Sequence, residues 1–252
     1  MDASRRALLA ATPGLLALPA CQSPPAAPAA AAPAAQAPAW TDQPVFSIAR
    51  VEVRDGRAFG EYATGHTPTI AAAGGRFLAA GAVPQAVEGS WPPRRVVIHQ
   101  WANEKAFRDW YQGAAYQPWK ARRHQAAATQ VVLVQGVAGS APSPTQAPAF
   151  VLIDVEVRDG PAFGRYVQGH MPGMREAGGQ FLAAGGRLEV VEGDWTPRRV
   201  VIHRWPSAQA FRQWYDSPGY RPWRDIRHGA ARTDVALVEG LSEATKAERR
   251  MP

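Results

Sequence analysis

Six histidines occur as three pairs, each 104 residues apart: His66 and His170, His99 and His203, His124 and His228. An imidazole titrates near neutrality and can take or give a proton, so each pair is a candidate for acid–base work. His66 and His170 are the best placed. Each follows a tyrosine, Tyr62 or Tyr166, by four residues, which puts the two side chains on one helix face. Each also precedes a proline, Pro68 or Pro172, by two residues. The missing proline N–H and the ring clash free backbone carbonyls nearby. A local acceptor can then fix one ring nitrogen while the other is aimed into a cavity, as general acid or base catalysis requires. The plainer alternative is a hydrogen-bonded core histidine. His99 and His203 alternate with valine and tryptophan and read as packing, whereas His124 and His228 sit near a helix end where a cation complements the dipole.

A second set of residues suits anion binding. Arg94-Arg95 and Arg198-Arg199 follow a Trp-x-Pro turn, and Arg123 and Arg227 lie near Trp119 and Trp223. Guanidinium forks hold carboxylates or phosphates, and a tryptophan face sorts planar ligands. Arg95, Arg199, Arg123, Arg227, Trp119 and Trp223 are therefore candidate binding residues for a small anionic molecule, with solvated surface charge as the alternative. No histidine pair has the i, i+4 spacing of a helical zinc site, and the single cysteine, Cys21, cannot complete one, so no metal site is expected. The chain also lacks Gly-x-Gly-x-x-Gly, Walker and Gly-x-Ser-x-Gly sequences, leaving nucleotide-binding and serine-hydrolase readings without their local signatures. No cofactor is expected.

These residues must be positioned by a unit that is written twice. Val51-Glu-Val-Arg-Asp-Gly56 returns as Val155-Glu-Val-Arg-Asp-Gly160, and the offset holds without a gap from Pro44/Pro148 to Gly136/Gly240. This divides the chain into repeat 1 at 44–136, a linker at 137–147, repeat 2 at 148–240 and a charged tail at 241–252. Within a repeat, residues 46–54 alternate as a strand, and Phe59, Tyr62, Ala63, His66, Ile70 and Ala73 follow at helical spacing up to the Gly74-Gly75 stop. Pro68 should kink that helix or restart it. A second strand at 76–80 is expected to resume near 86–88, and 95–101 forms a third. Asn103 or Ser207 then caps a helix bearing Phe107, Trp110 and Tyr111, a broken helical segment carries Tyr116, Trp119 and Arg123, and a strand at 129–135 closes the repeat. The order βαββαβ is the ferredoxin-like split unit, an α+β fold with both helices on one sheet face. The other face still carries apolar residues that something must cover.

Several motifs in order carry a family resemblance: Val-Glu-Val-x-Asp, Tyr62 and Pro68, Gly-Gly-x-Phe-Leu-Ala-x-Gly, Val-Glu-Gly-x-Trp-x-Pro-x-Arg-Val-Val, and Trp-Tyr-x-Ser-Pro-x-Tyr in repeat 2. Together they resemble the domain-of-unknown-function family 1330, of the dimeric α+β barrel superfamily, over both repeats. The resemblance implies two ferredoxin-like βαββαβ repeats packed sheet to sheet as an intrachain dimeric α+β barrel, a pseudo-dimer within one chain. Tyr-x-x-x-His-x-Pro looks like a sequence of other such barrels, although many members of the suspected family carry no histidine there. Gln100 and Arg204 stand where relatives often have Glu, which sets carboxylate-based chemistry aside. The enzyme hypothesis is a cofactor-independent isomerase, lyase or oxygenase on a small organic acid, with His66, His170, Tyr62 and Tyr166 as catalytic candidates. The alternative is a non-catalytic module that binds a small anionic ligand or supports the envelope.

The 252 residues carry 28 Lys and Arg against 21 Asp and Glu, a net charge of +7, which favours anionic partners without naming one. Residues 1–21 read as an export signal with Arg5 and Arg6 before a short apolar run. Leu18-Pro19-Ala20-Cys21 resembles the bacterial lipobox, in which the cysteine is acylated, and Ser4-Arg5-Arg6-Ala7-Leu8-Leu9 resembles a twin-arginine signal. Residues 22–43, mostly Ala and Pro, read as an extended tether. The expectation is a protein of the bacterial cell envelope, on the periplasmic side, held to the membrane through Cys21. Such a location keeps it from nucleic acid, and no nucleic-acid partner is expected.

Overall fold

Alternation along β1 (Val45–Val53) sends Phe46 and Ile48 to one face and Ser47, Ala49 and Val51 to the other, so this strand must be covered twice. The computed structural model describes residues 39–140 and 147–252. After β1, repeat 1 runs α1 (Gly56–Ala72), β2 (Arg76–Ala82), β3 (Gln85–Glu88), β4 (Arg95–Trp101), α2 (Glu104–Gln112), α3 (Gln117–Ala126) and β5 (Ala127–Gln135). Repeat 2 runs β6 (Ala149–Val157), α4 (Gly160–Glu176), β7 (Gln180–Ala184), β8 (Leu188–Glu192), β9 (Val200–Trp205), α5 (Ala208–Tyr215), α6 (Arg221–Ala230) and β10 (Ala231–Glu239), with α7 (Glu243–Arg249) after it.

The helix ends follow local chemistry. Asp55 and Asp159 cap α1 and α4 by accepting the Ala58 and Ala162 N–H groups, and Asn103 and Ser207 do the same for α2 and α5. Gly74, at φ +72°, takes the left-handed turn that ends α1. Helix α1 continues through Pro68 as one element rather than restarting there.

Two antiparallel five-stranded sheets form, in the orders β2-β4-β1-β5-β8 and β3-β10-β6-β9-β7. Each therefore holds four strands of one repeat and one of the other. Residues 86–88 do not resume β2 as the sequence suggested. Gly81, at φ +84°, marks a bulge between Ala80 and Ala82 at the end of β2, and Pro84 offers no N–H to continue the ladder. The segment crosses to pair with β10, while β8 crosses to pair with β5. Between the sheets, Phe46, Ile48, Ile98 and Val132 meet Phe150, Leu152, Ile202 and Val238 in a filled interior. This is the α+β barrel built from one chain. The helices cover the outer faces and enclose a second core in each repeat.

The tail folds back onto repeat 1, where Leu241 is buried and its N–H donates to the Leu78 carbonyl at 2.9 Å. The Phe77 N–H donates to the Pro252 carbonyl at 2.9 Å, and Met251 packs against the outer core of repeat 1. Two apolar residues ten apart show no period in sequence, yet each finds a site. Among the described residues, no helix is long and apolar enough to cross a membrane. Cys21 and the signal lie outside the described residues.

Candidate functional site

Each repeat has a pocket between its helices and the outer face of its sheet. In repeat 1 the cavity measures about 100 Å³, and Tyr62, His66, His99, Tyr116 and Arg123 stand in a wall otherwise made mostly of apolar side chains. In repeat 2 it measures about 470 Å³, with Tyr166, His170, His203, Arg227 and Arg199 in the corresponding wall.

The tyrosine–histidine pairs take up one geometry in both copies. His66 Nδ1 lies 2.8 Å from the Tyr62 carbonyl, and His170 Nδ1 lies 2.8 Å from that of Tyr166. A carbonyl only accepts, so in the neutral ring Nδ1 carries the proton and Nε2 is left as an acceptor. The rings also stack on their tyrosines, with centroids 4.2 and 4.3 Å apart. The acceptor is the carbonyl four residues back, not the Thr64 carbonyl that Pro68 leaves without a helix donor. Burial pushes the His66 imidazole down to about 4, which the backbone bond opposes and the Arg123 charge reinforces. Burial likewise lowers His170. Both rings are neutral at pH 7. The tyrosine hydroxyls point to a second tyrosine: Tyr62 to Tyr116 at 3.5 Å and Tyr166 to Tyr220 at 3.3 Å.

The arginines divide. Arg123 donates through Nη1 and Nη2 to Glu192 at 3.0 and 2.7 Å, and Tyr111 donates to the same carboxylate at 2.7 Å. Arg227 makes the matching fork to Glu88, joined by Tyr215 and Thr233. Each glutamate comes from the crossing strand of the opposite repeat, so each pocket is finished by its neighbour. Burial works against ionisation of Glu88, yet the Arg227 fork and charge, with Tyr215 and Thr233, hold its carboxyl down at about 2. The charges of Arg123 and Arg227 are thus matched inside the protein. Arg95 is exposed and donates to the Gly81 carbonyl at 3.0 Å. Arg199 is exposed at the border of the repeat 2 pocket, where its stem lies over Gly185. Trp119 closes the contact between α1 and α3, since a Cβ on Gly65 would come within 2.0 Å of its ring. Trp223 does the same over Gly169 and also borders an open groove beside His170.

Sequence reasoning left out Glu88, Glu192, Tyr111 and Tyr215. The signal available was the Val-Glu-Gly motif, a glutamate repeated at the same offset with no local cation. His99 and His203 also reach the pocket walls, where burial lowers both to about 3. Among the described residues, no group of three or more His, Cys, Asp or Glu side chains is placed to hold a metal ion.

The model of one family, "Domain of unknown function (DUF1330)", matches residues 44–137 and again 148–241. The chain belongs to the DUF1330 family. Its two DUF1330 copies together form the intrachain pseudo-dimer. Among solved structures, the tandem pair is similar to a "putative monooxygenase" from Lactobacillus acidophilus NCFM, with 16% identity and a TM-score of 0.50 over 78% of this chain and 94% of that one. At that identity the likeness shows the shared barrel fold. An anthrone oxidase-like protein gives 15% identity and a TM-score of 0.44, covering 78% of this chain and 91% of that one. A protein of unknown function from Rhodopseudomonas palustris gives 25% identity and a TM-score of 0.32, covering 37% of this chain and 81% of its own. Comparison with curated proteins finds no match.

Proposed function

We propose that this DUF1330 pair is an enzyme of isomerase, lyase or oxygenase type acting on a small, aromatic organic acid in the pocket beneath its helices. The observation that supports it is the fixed tautomer: an imidazole whose Nδ1–H is tied to a tyrosine carbonyl keeps its Nε2 lone pair beside an apolar pocket. In this reading His66 and His170 take a proton from the substrate through Nε2, and Tyr62 and Tyr166 orient them by carbonyl and ring. A base held near 4 accepts a proton only if the substrate anion formed beside it stabilises the imidazolium, so substrate and base must be in contact during transfer. Exposed Arg199, at the pocket border, meets the substrate carboxylate. In this reading the protein belongs to the cell envelope, anchored through an acylated Cys21, and what supports it is the signal-like and lipobox-like sequence of residues 1–21.

A second reading has its own observation. Arg123 and Arg227 are neutralised by Glu192 and Glu88, and the imidazoles are neutral, which suits a binding module that holds a ligand without transforming it. Incubating the full chain with a panel of hydroxylated aromatic acids, reading melting temperature and product by mass spectrometry, separates the two. Conversion that is abolished in the chain carrying both His66→Ala and His170→Ala, with the melting shift kept, supports the enzyme. A melting shift without conversion supports the binding module, and no shift with any acid overturns both.

A further inference from the structure

The two pockets differ at three places. The first is Ser47. Its hydroxyl lies 3.2 Å from His99 Nδ1 and accepts the Trp101 indole N–H at 3.1 Å, so repeat 1 satisfies these buried groups internally, leaving His99 Nε2 unpaired. In repeat 2 the same position is Val151. There both ring nitrogens of His203, the Trp205 indole nitrogen and His170 Nε2 are buried without a partner. Each unsatisfied polar group costs about 1 to 3 kcal/mol unless water or a ligand meets it.

The second place is Thr69, whose hydroxyl donates to the His66 carbonyl at 2.7 Å and accepts from Trp110 Nε1 at 2.9 Å, bridging α1 to α2. Repeat 2 has Gly173 there, and an open groove runs past Gly173, His170 and Trp214. Met251 is the third. It lines the repeat 1 cavity, held by the Phe77 to Pro252 hydrogen bond, and no described residue takes its place over repeat 2. The cavity is correspondingly the smaller, about 100 against about 470 Å³.

The geometry points to a single working site per chain, in repeat 2, with repeat 1 retained as a closed partner sealed by the segment Leu241–Pro252. This rests on the reading of the pocket as a small-molecule site and names the head group it takes. His170 donates through Nδ1 to Tyr166, so its Nε2 asks the ligand for an O–H or N–H. His203 offers one donor and one acceptor, and Phe163, Val167, Phe181 and Val201 flank an apolar body. A hydroxylated aromatic acid fits, with its hydroxyl at the histidines and its carboxylate toward Arg199.

The experiment has one ligand-dependent and one ligand-independent measurement. Titrating the full chain with 3-fluoro-4-hydroxybenzoate and following ¹⁹F resonances should give one site per chain. Binding should weaken at least tenfold in His203→Phe and stay within twofold in His99→Phe. Two equal sites, or loss in His99→Phe alone, would overturn the assignment. Separately, Val51→Cys and Val155→Cys, each in a Cys21→Ser chain, place a thiol in equivalent pocket walls. Methyl methanethiosulfonate should modify residue 155 at least tenfold faster than residue 51, and adding Met251→Ala should raise the slower rate several-fold. Equal rates, or a slow rate unmoved by Met251→Ala, would refute the seal. Absence of ligand binding with unequal thiol rates would instead reject the ligand class and leave the asymmetry standing.

Discussion

Acidification from pH 7.5 to 5 should remove much of the folding stability, because the pocket imidazoles are buried in neutral form. In an unfolded chain a histidine titrates near ~6.5. In the folded chain His66 is held at about 4, and His99 and His203 at about 3. A folded value below the unfolded one means that the unfolded chain takes up protons the native state refuses. The stability is therefore complete above about pH 6.5 and falls as the pH drops toward the folded values. At pH 5, about 1.5 units under the unfolded value, each of the three costs about 2 kcal/mol at 1.36 kcal/mol per unit. Together that is about 6 kcal/mol, as large as the whole stability of many domains. His170 acts in the same direction. The paired carboxylates Glu88 and Glu192 lose their contribution only below about 4.5, so they leave this window to the histidines. Urea unfolding followed by tryptophan fluorescence at pH 7.5, 6.5 and 5 at constant ionic strength measures the effect. His99→Phe should flatten the slope by about a third. An unfolding free energy constant to within about 1 kcal/mol from pH 7.5 to 5 would refute the argument, since the imidazoles would then be reaching water or a counter-charge in the native state.

Four further outcomes are expected. Glu88→Gln leaves the buried Arg227 guanidinium without its carboxylate and should cost about 3 to 5 kcal/mol in urea unfolding at pH 7; it should also remove the Glu88 share of the acid titration below about pH 4.5, leaving that of Glu192. Gly65→Ala forces a methyl into the Trp119 ring and should lower stability by about 1 to 3 kcal/mol, with Trp119→Leu in the same chain restoring part of the loss. Residues 148–240 expressed alone should self-associate in sedimentation, because the inner sheet face and the unpaired edge of β10 are left open; a well-folded monomer would contradict this. Cys21→Ser should move the protein from washed membranes to the soluble fraction, and unchanged partition would reject acylation at Cys21.

What the sequence disclosed follows the range of the forces involved. Strand faces, the Asn103 and Ser207 caps and the Gly74 stop depend on neighbours a few residues away, and each was legible from its own window. The repeat was legible because the offset of 104 residues needs no structure to be seen, and the family resemblance then implied that the two copies pair. The crossing of β3 and β8 was not legible: Ala86, Val87 and Glu88 read equally well as a continuation of β2, and only the opposite repeat's free sheet edge decides between them. With that crossing hidden, Glu88 and Glu192 had no visible cations, and Arg123 and Arg227 looked like open ligand clamps. The histidine tautomer was half visible. Four-residue spacing brought Tyr62 and His66 together, but the carbonyl that receives Nδ1–H belongs to the regular helix rather than to the proline's vacancy.

The exchange of β3 and β8 bears on how this chain can vary. If two identical subunits traded those strands, any substitution would be made twice, once at each pocket, and both would have to tolerate it. With both copies encoded in one polypeptide, Ser47 and Val151 are separate letters, and so are Thr69 and Gly173. One pocket is then free to lose its internal hydroxyls and widen while the other keeps them and holds the shared scaffold. The traded strands limit that freedom at Glu88 and Glu192, whose carboxylates serve the neighbour's guanidinium. A change there in either copy is felt across the barrel, so the two halves drift independently at their pockets and remain mutually constrained at their arms.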